Sequence, residues 1–170
     1  MRIVGIDPGY AIVGFGVVDY ANNAFRMCEY GAVTTEAHTP FDRRLLEIDA
    51  GLAALLARAK PDALAIEKLY FNSNQKTAID VAQARGVCVL AAVKAGVPVF
   101  EYTPLQVKMS VVGYGRAEKK QVMEMTRIML GLEKVPKPDD AADALAIAIC
   151  HAHSAVSRMG NLYLQNRGRY

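Results

Sequence analysis

The chain begins with a short apolar segment that ends in one carboxylate, Arg2-Ile3-Val4-Gly5-Ile6-Asp7. A run this apolar is typical of a central strand that is buried on both faces. Pro8-Gly9 follows at once and predicts a tight turn, so Asp7 is expected at the carboxyl end of the strand. In sheets with parallel strands, ligand crevices open at that end. Asp7 is therefore the first candidate site residue.

Acidic residues occupy two further positions of this kind. Ala63-Leu64-Ala65-Ile66-Glu67 is a second apolar run that ends in a carboxylate. It follows a predicted helical crossover, so it should run parallel to the first strand, with Asp7 and Glu67 ~5 Å apart laterally. Asp140 and Asp143 open a long apolar helix and share one of its faces. We hypothesise that the three places meet.

Acids in the first turn of a helix also have an ordinary explanation. They cap free N–H groups and interact favourably with the helix dipole. That explanation covers Asp140 or Asp143 alone, but not Asp7 and Glu67 at the ends of strands. Four convergent carboxylates repel one another unless cations hold them together. Oxygen ligands favour Mg²⁺ or Mn²⁺, and two such ions ~4 Å apart can hydrolyse a phosphodiester.

The order of predicted elements indicates the fold class. A meander of three strands comes first, and the helix that follows it is expected to have Thr39 as its N-cap and Pro40 in its first turn. The predicted elements span residues 2–7, 12–18, 25–34, 40–59, 63–67, 74–94, 97–102, a short helix after Thr103-Pro104, 117–130 and 141–153. This order predicts an α/β fold: a mixed five-stranded sheet flanked by helices on both faces.

Length and composition limit the organisation of the chain. With 170 residues and 52% hydrophobic content, it should form one domain over residues 1–153, with a partly mobile tail at 154–170. It contains no apolar run near the roughly 20 residues of a membrane span, and a strand begins where a signal peptide would lie. The three cysteines at positions 28, 88 and 150 are expected to be buried, reduced thiols, which predicts a cytoplasmic location.

Charge is unevenly distributed along the chain. Residues 68–137 carry 11 basic and 5 acidic side chains, although the whole chain has a formal charge of only +3. A basic region beside carboxylates suits an enzyme that acts on a phosphate backbone. Solvated helix faces that happen to contain lysine explain the distribution equally well.

The predicted helix at 74–94 is apolar on nearly all sides in its second half. Such a helix is buried either inside its own domain or against another chain. Its small residues at positions 84, 87, 88 and 91, namely Ala84, Val87, Cys88 and Ala91, permit a close helix–helix approach. We predict that they form the interface of a homodimer, with a helix wholly inside the domain as the alternative.

Four motifs, taken together, closely resemble the RuvC family. They are Gly5-Ile6-Asp7-Pro8-Gly9, Ala65-Ile66-Glu67, Gln83-Ala84-Arg85-Gly86 and Asp140-Ala141-Ala142-Asp143-Ala144-Leu145-Ala146. Each motif alone is weak, but all four occur in order and at family spacing from residue 1 to about 153. Members of this family are bacterial Holliday-junction resolvases with the ribonuclease-H-like fold.

The resemblance implies a Mg²⁺-dependent homodimer that nicks two symmetric strands of a four-way DNA junction in recombination and repair. It also implies a branch-migration helicase complex as a partner. By position, the metal ligands would be Asp7, Glu67, Asp140 and Asp143, and the lysines near the cleaved phosphate would be Lys108 and Lys119. Asp139 is an extra acid and is expected to cap the helix.

Further candidate DNA contacts lie in two loops. Tyr70 matches a family aromatic that meets junction bases, but the family pattern tends to phenylalanine there, so either Tyr70 or its neighbour Phe71 could act. A ring stacked on an unpaired base contributes ~1–3 kcal/mol. Asn74, Lys76 and Arg116 complete the predicted DNA-binding set.

Two rival functions remain at this point. Actin-like nucleotide-binding domains also open with Gly-Ile-Asp-x-Gly, but they need a second phosphate loop and a second lobe, for which 170 residues leave no room. A non-catalytic nucleic-acid-binding relative with the same fold is the other rival. The presence of all four acids argues against it.

Overall fold

A mixed five-stranded sheet forms the centre of the computed structural model, which describes the backbone of residues 1–69 and 75–167 and the side chains of 1–69 and 78–157. The strands are β1 (Arg2–Asp7), β2 (Ile12–Ala21), β3 (Ala24–Thr34), β4 (Ala63–Glu67) and β5 (Val99–Tyr102). They lie in the order β3-β2-β1-β4-β5. The first three form the predicted antiparallel meander, and β4 and β5 run parallel to β1.

Helices cover both faces of the sheet, as predicted. Within the described residues they are α1 (Phe41–Ala59), α2 (Gln75–Lys94), α3 (Pro104–Val112), α4 (Lys119–Met129) and α5 (Asp139–Arg167). Val4 and Ile6 of β1 face a core shared with α1 and α2, whereas Ile3 faces a second core shared with α3, α4 and α5. This alternation explains why β1 is apolar at every position between its ends.

Helix α5 packs unusually close to the centre of the sheet. A Cβ atom added at Gly5 of β1 would overlap the carbonyl oxygen of Ala144 in α5. The absence of a side chain at this position therefore allows the two backbones to touch. Because α5 begins with the acidic cluster, this contact brings that cluster toward the sheet.

Two helix starts test the capping predictions. Thr103 caps α3 as predicted, since its hydroxyl accepts from the backbone N–H of Gln106 and the Gln106 side chain accepts from that of Thr103. The prediction for Thr39 was wrong. Pro40 holds the N-cap position of α1, and in the described structure no side chain caps that end.

The prediction that small residues of α2 form a dimer interface was also wrong. Ala84, Cys88 and Ala91 are at most 2% exposed and belong to the core that α2 shares with α1. Val87 packs against the same core. The outward face of α2 instead carries the exposed residues Ile79, Leu90 and Val93. Because α2 is apolar on most sides, its sequence did not show which face was internal.

The last helix is longer than predicted. Its backbone remains helical to Arg167 instead of ending near residue 153. The hydroxyls of Ser154 and Ser157 donate to the carbonyls of Cys150 and His153, so both serines are accommodated inside the helix. At the other end, Asp139 is the first helical residue rather than the cap before it, and it pairs with Lys137 at 2.6 Å.

The cysteine prediction needs one correction. The three cysteines all lie in the described ranges and are free thiols, but Cys28 is exposed whereas Cys88 and Cys150 are buried. Cys28 lies on the edge strand β3, where burial alternates along the chain. As for the membrane, the helices that the structure describes include none with both the length and the apolarity of a span.

Candidate active site

A pocket of about 200 Å³ lies where β1 and β4 end. Its charged lining consists of Asp7, Glu67, Lys108, Lys119 and Asp143. The rest of the lining is apolar: Pro104, Val107, Val122, Ala146 and Ile147. Three of the four predicted metal ligands and both predicted lysines thus meet in one place, although they come from five different elements.

Strand register brings the first two acids together. In the parallel ladder, Ile6 of β1 is paired with Ile66 of β4. Asp7 and Glu67 are the next residues of their strands. They therefore lie side by side at the carboxyl ends of β1 and β4, as the sequence predicted. Apolar residues hold both strands in the core, which leaves the carboxylates at the open edge.

The first turn of α5 supplies the other acids. Asp7 is the cross-strand partner of Gly14 in β2, and Gly14 in turn lies directly against the backbone of Asp140. Asp143, one helical turn later, lines the pocket. Asp140 is not one of the described residues that line it, but its negative charge contributes to the electrostatics of Asp7.

The acids share a strongly perturbed environment. Burial, followed by the charges of Asp143, Glu67 and Asp140, raises the pKa of Asp7 to about 7. Burial and the charge of Asp143 likewise raise the pKa of Glu67. Burial also raises the pKa of Asp143, although Lys119 opposes the rise. Grouped carboxylates with raised pKa values are typical of functional sites.

Two lysines face these acids. The Nζ atom of Lys119, in the first turn of α4, lies 2.7 Å from Oδ2 of Asp143. Partial burial lowers the pKa of Lys119, but the hydrogen bond and the charge of Asp143 outweigh that effect, and the pKa is raised. Lys108, on α3, lines the pocket and its charge lowers the pKa of Glu67. Lys119 therefore remains cationic beside the carboxylates.

The donor set suits a hard divalent cation. Carboxylate oxygens are ligands that Mg²⁺ and Mn²⁺ prefer, and a bound cation would offset both the burial and the repulsion that raise the pKa of Asp7. In the arrangement seen here, however, no three Asp, Glu, His or Cys side chains of the described residues are grouped closely enough to hold an ion. The ammonium of Lys119 instead neutralises part of the acidic charge through Asp143.

The predicted DNA contacts are placed less completely. Arg116 is exposed in the α3–α4 connection, outside the group of described residues that line the pocket. Tyr70, Phe71 and Asn74 lie outside the described residues. Lys76 lies in the first turn of α2, but its side chain is also outside the described set.

Sequence reasoning missed two residues that shape the site. Gly14 gives α5 its close approach, and Arg85 donates from Nε to the main-chain carbonyl of Glu67 at 3.0 Å. The signal for Arg85 was present, since it is a charged residue on a mostly apolar helix and part of a quoted motif. Its contact with a residue 18 positions earlier depends on the folded structure.

Comparisons with known proteins agree on one family. The family model "Crossover junction endodeoxyribonuclease RuvC" matches residues 3–151. A protein of that name from Ruminiclostridium cellulolyticum is 56% identical over 98% of this chain and 99% of its own length, and one from Brevibacillus brevis is 59% identical over 89% and 92%. Thermus thermophilus RuvC, solved in complex with a Holliday junction substrate, superposes with a TM-score of 0.88 at 40% identity, covering 94% of this chain and 96% of that one.

Proposed function

The chain belongs to the RuvC family of crossover junction endodeoxyribonucleases and is a DNA endonuclease, and we propose that it resolves four-way DNA junctions by paired, symmetric nicks. One observation carries the proposal: Asp7, Glu67 and Asp143 share a pocket with two lysines. Phosphodiester hydrolysis requires carboxylates that can bind metal ions and positively charged side chains that can bind a phosphate.

We assign the four acids, Asp7, Glu67, Asp140 and Asp143, as the ligands of two Mg²⁺ ions, for which Mn²⁺ can substitute. Bound there, the ions would activate a water molecule and stabilise the departing oxygen. The chain's own contribution is to hold acids from two strands and one helix at one edge. The raised pKa values of Asp7, Glu67 and Asp143 support this assignment, because buried carboxylates that also repel one another are stabilised strongly when a cation binds.

The lysines act on the phosphate. The ammonium of Lys119 is held beside the acids by an ion pair with Asp143 at 2.7 Å. We propose that it stabilises the negative charge that develops on the phosphate during cleavage. Lys108 reaches the same pocket from α3 and assists it. The pocket lining also includes apolar residues such as Val107 and Ile147, whose low polarity strengthens the electrostatic interactions of these groups.

A junction has two equivalent strands to cut, whereas one chain supplies one set of acids. We therefore propose a homodimer with a two-fold axis. The surface that suits it is the outward face of α2, formed by residues at 4-3-4-3 spacing: Ile79, Gln83, Gly86, Leu90 and Val93. This spacing is that of a coiled-coil seam.

The exposure of this outward face supports the assignment. Ile79, Leu90 and Val93 are 65%, 53% and 62% exposed in the single chain. A Cβ atom added at Gly86 would meet no atom within 4 Å, so the centre of the face is open. With glycine at its midpoint, the face allows two copies of α2 to cross closely around that residue.

The resemblance to the family also suggests further DNA contacts and a protein partner. We propose that Tyr70 or Phe71 stacks on a junction base, and that Asn74, Lys76 and Arg116 contact the DNA backbone. We also expect the protein to work with a branch-migration helicase complex and to be cytoplasmic.

The test is incubation with a synthetic four-way junction whose strands carry distinct labels. With Mg²⁺, the proposal expects two nicks at symmetric positions, and no nicks when the cation is chelated. A linear duplex of the same sequence is the matched control and should remain intact. Equal cutting of duplex and junction, or nicking that persists in a chelator, would contradict the proposal.

A further inference from the structure

Arg85 connects helix α2 to the edge of the sheet where the pocket lies. Its Nε atom donates to the main-chain carbonyl of Glu67 at 3.0 Å. Its guanidinium also forms an ion pair with Glu101 of β5, and its side chain is 18% exposed. The Arg85 side chain therefore connects α2 both to β4, at Glu67, and to β5, at Glu101.

The contact lies where regular pairing stops. The β1–β4 ladder ends at Ile66, one residue before Glu67, while Glu67 is paired with Tyr102 of β5. The next residue, Lys68, donates its backbone N–H to the carbonyl of Tyr102 at 2.8 Å. Glu67 is thus held by β5 on one side, and the guanidinium adds a charge-assisted hydrogen bond that fixes its peptide plane.

We propose that Arg85 is a positioning residue for Glu67. By holding the main-chain carbonyl, it sets the direction in which the carboxylate of Glu67 projects into the pocket. The inference rests on the proposed function, in which Glu67 is a metal ligand. Removing a residue that contacts a metal ligand, but not the metal itself, typically weakens metal binding ~10–100-fold. Because α2 also carries the proposed dimer face, Arg85 links that face to the active site.

A second arginine–glutamate pair provides a matched control. Arg58 of α1 binds Glu29 of β3 through Nε and a terminal nitrogen, at 3.2 and 2.6 Å. The two side chains are 48% and 40% exposed. Arg58→Met removes the same chemistry as Arg85→Met, but without loss of a contact to a pocket residue.

The experiment compares Arg85→Met, Arg85→Lys and Arg58→Met with the unmodified full chain. Mg²⁺ binding to the DNA-free protein is measured by calorimetry, and junction affinity by gel shift in a chelator. Single-turnover nicking of pre-bound junction is the third measurement. We expect Arg85→Met to weaken Mg²⁺ binding ~10-fold or more, to slow nicking at fixed Mg²⁺, and to leave junction affinity within about twofold. Arg58→Met should leave all three unchanged.

Arg85→Lys keeps a cation for Glu101, but one ammonium lacks the fork that reaches both partners. We expect it to fold like the unmodified chain and still to bind Mg²⁺ several-fold more weakly. If Arg85→Met does not fold, the comparison of Mg²⁺ affinity uses Arg85→Lys in its place. Unchanged Mg²⁺ affinity in the folded variant would overturn the proposal. An unmodified chain that binds Mg²⁺ but leaves junctions intact would contradict the proposed function instead, while the Mg²⁺ comparison would still test Arg85.

Discussion

Gly14 of β2 and Asp140 of α5 pack backbone against backbone, so closely that a Cβ atom added at residue 14 would overlap the carbonyl oxygen of Asp140. Gly14 is also the strand partner of Asp7. Together with Gly5 of β1, this position therefore sets the distance between the sheet at Asp7 and the helix that carries Asp140 and Asp143. Glycine is required here for close approach rather than for an unusual backbone angle.

We predict that Gly14→Ala forces α5 away from the sheet. Overpacking of this kind costs ~1–3 kcal/mol, since the overlapping atoms belong to a backbone that cannot rotate away. Urea denaturation should show the loss of stability. Nicking should fall further than the change in folded population explains, because Asp140 and Asp143 move with the helix. A variant with the stability and nicking rate of the unmodified chain would contradict this.

Removing any one acid should separate cutting from binding. Asp7→Asn, Glu67→Gln, Asp140→Asn and Asp143→Asn each delete a proposed metal ligand but keep the basic surface. We expect nicking to be lost while junction affinity in a chelator is retained or increases, because negative charge falls. Labelled-junction nicking and gel shift measure the two effects. Glu67→Gln protein that cuts near the normal rate would exclude the two-metal assignment.

Lys119 should matter for the chemical step. Lys119→Ala removes the ammonium beside Asp143, and we expect single-turnover nicking of bound junction to slow ~10²-fold. Lys134→Ala, at an exposed position on the α4–α5 connection, is the matched control. Equal and small effects of the two substitutions would place Lys119 among ordinary solvated lysines.

The acids also predict a pH-dependent stability in the absence of divalent cations. The pKa of Asp7 rises from 3.8 to about 7 on folding, so the folded state binds its proton more tightly than the unfolded state. Asp7 therefore favours folding at low pH, and this contribution is lost between pH 4 and 7. Above that range, Asp7→Asn should be more stable than the unmodified chain by on the order of 1 kcal/mol or more.

Thermal denaturation in a chelator, at pH 4 and pH 8, measures this difference. We expect the two proteins to differ little at pH 4, where Asp7 is largely protonated in the folded state. Added Mg²⁺ should stabilise the unmodified chain but not Asp7→Asn. Lower stability of Asp7→Asn at pH 8 in the chelator would refute the prediction.

The dimer prediction now concerns the outward face of α2. Leu90→Glu or Val93→Glu would place unpaired charge in the proposed interface, and we expect folded monomers that do not make paired nicks. Ile128→Glu, at a 54% exposed position on α4, is the control and should remain dimeric. Sedimentation with and without junction measures the state. Unmodified protein that is monomeric in both conditions would rule out the interface.

Local patterns predicted most of the fold. Apolar runs that end in carboxylates indicated two adjacent strands, and the crossover between them placed Asp7 beside Glu67. Patterns failed where the answer depended on three-dimensional neighbours. Helix α2 is apolar on most sides, so its sequence could not show that Ala84 faces its own domain while Leu90 faces outward. The contact of Arg85 with Glu67 was hidden for the same reason, because 18 residues separate them.

The pocket combines residues that are far apart in the sequence, since Asp7 lies in β1 and Asp143 in α5. During synthesis, the early strands emerge long before α5 exists. All four acids therefore come together only after α5 has been synthesised and has docked on β1 and β2. A chain that lacks α5 can place Asp7 beside Glu67 but lacks Asp140 and Asp143, so its acidic cluster is incomplete.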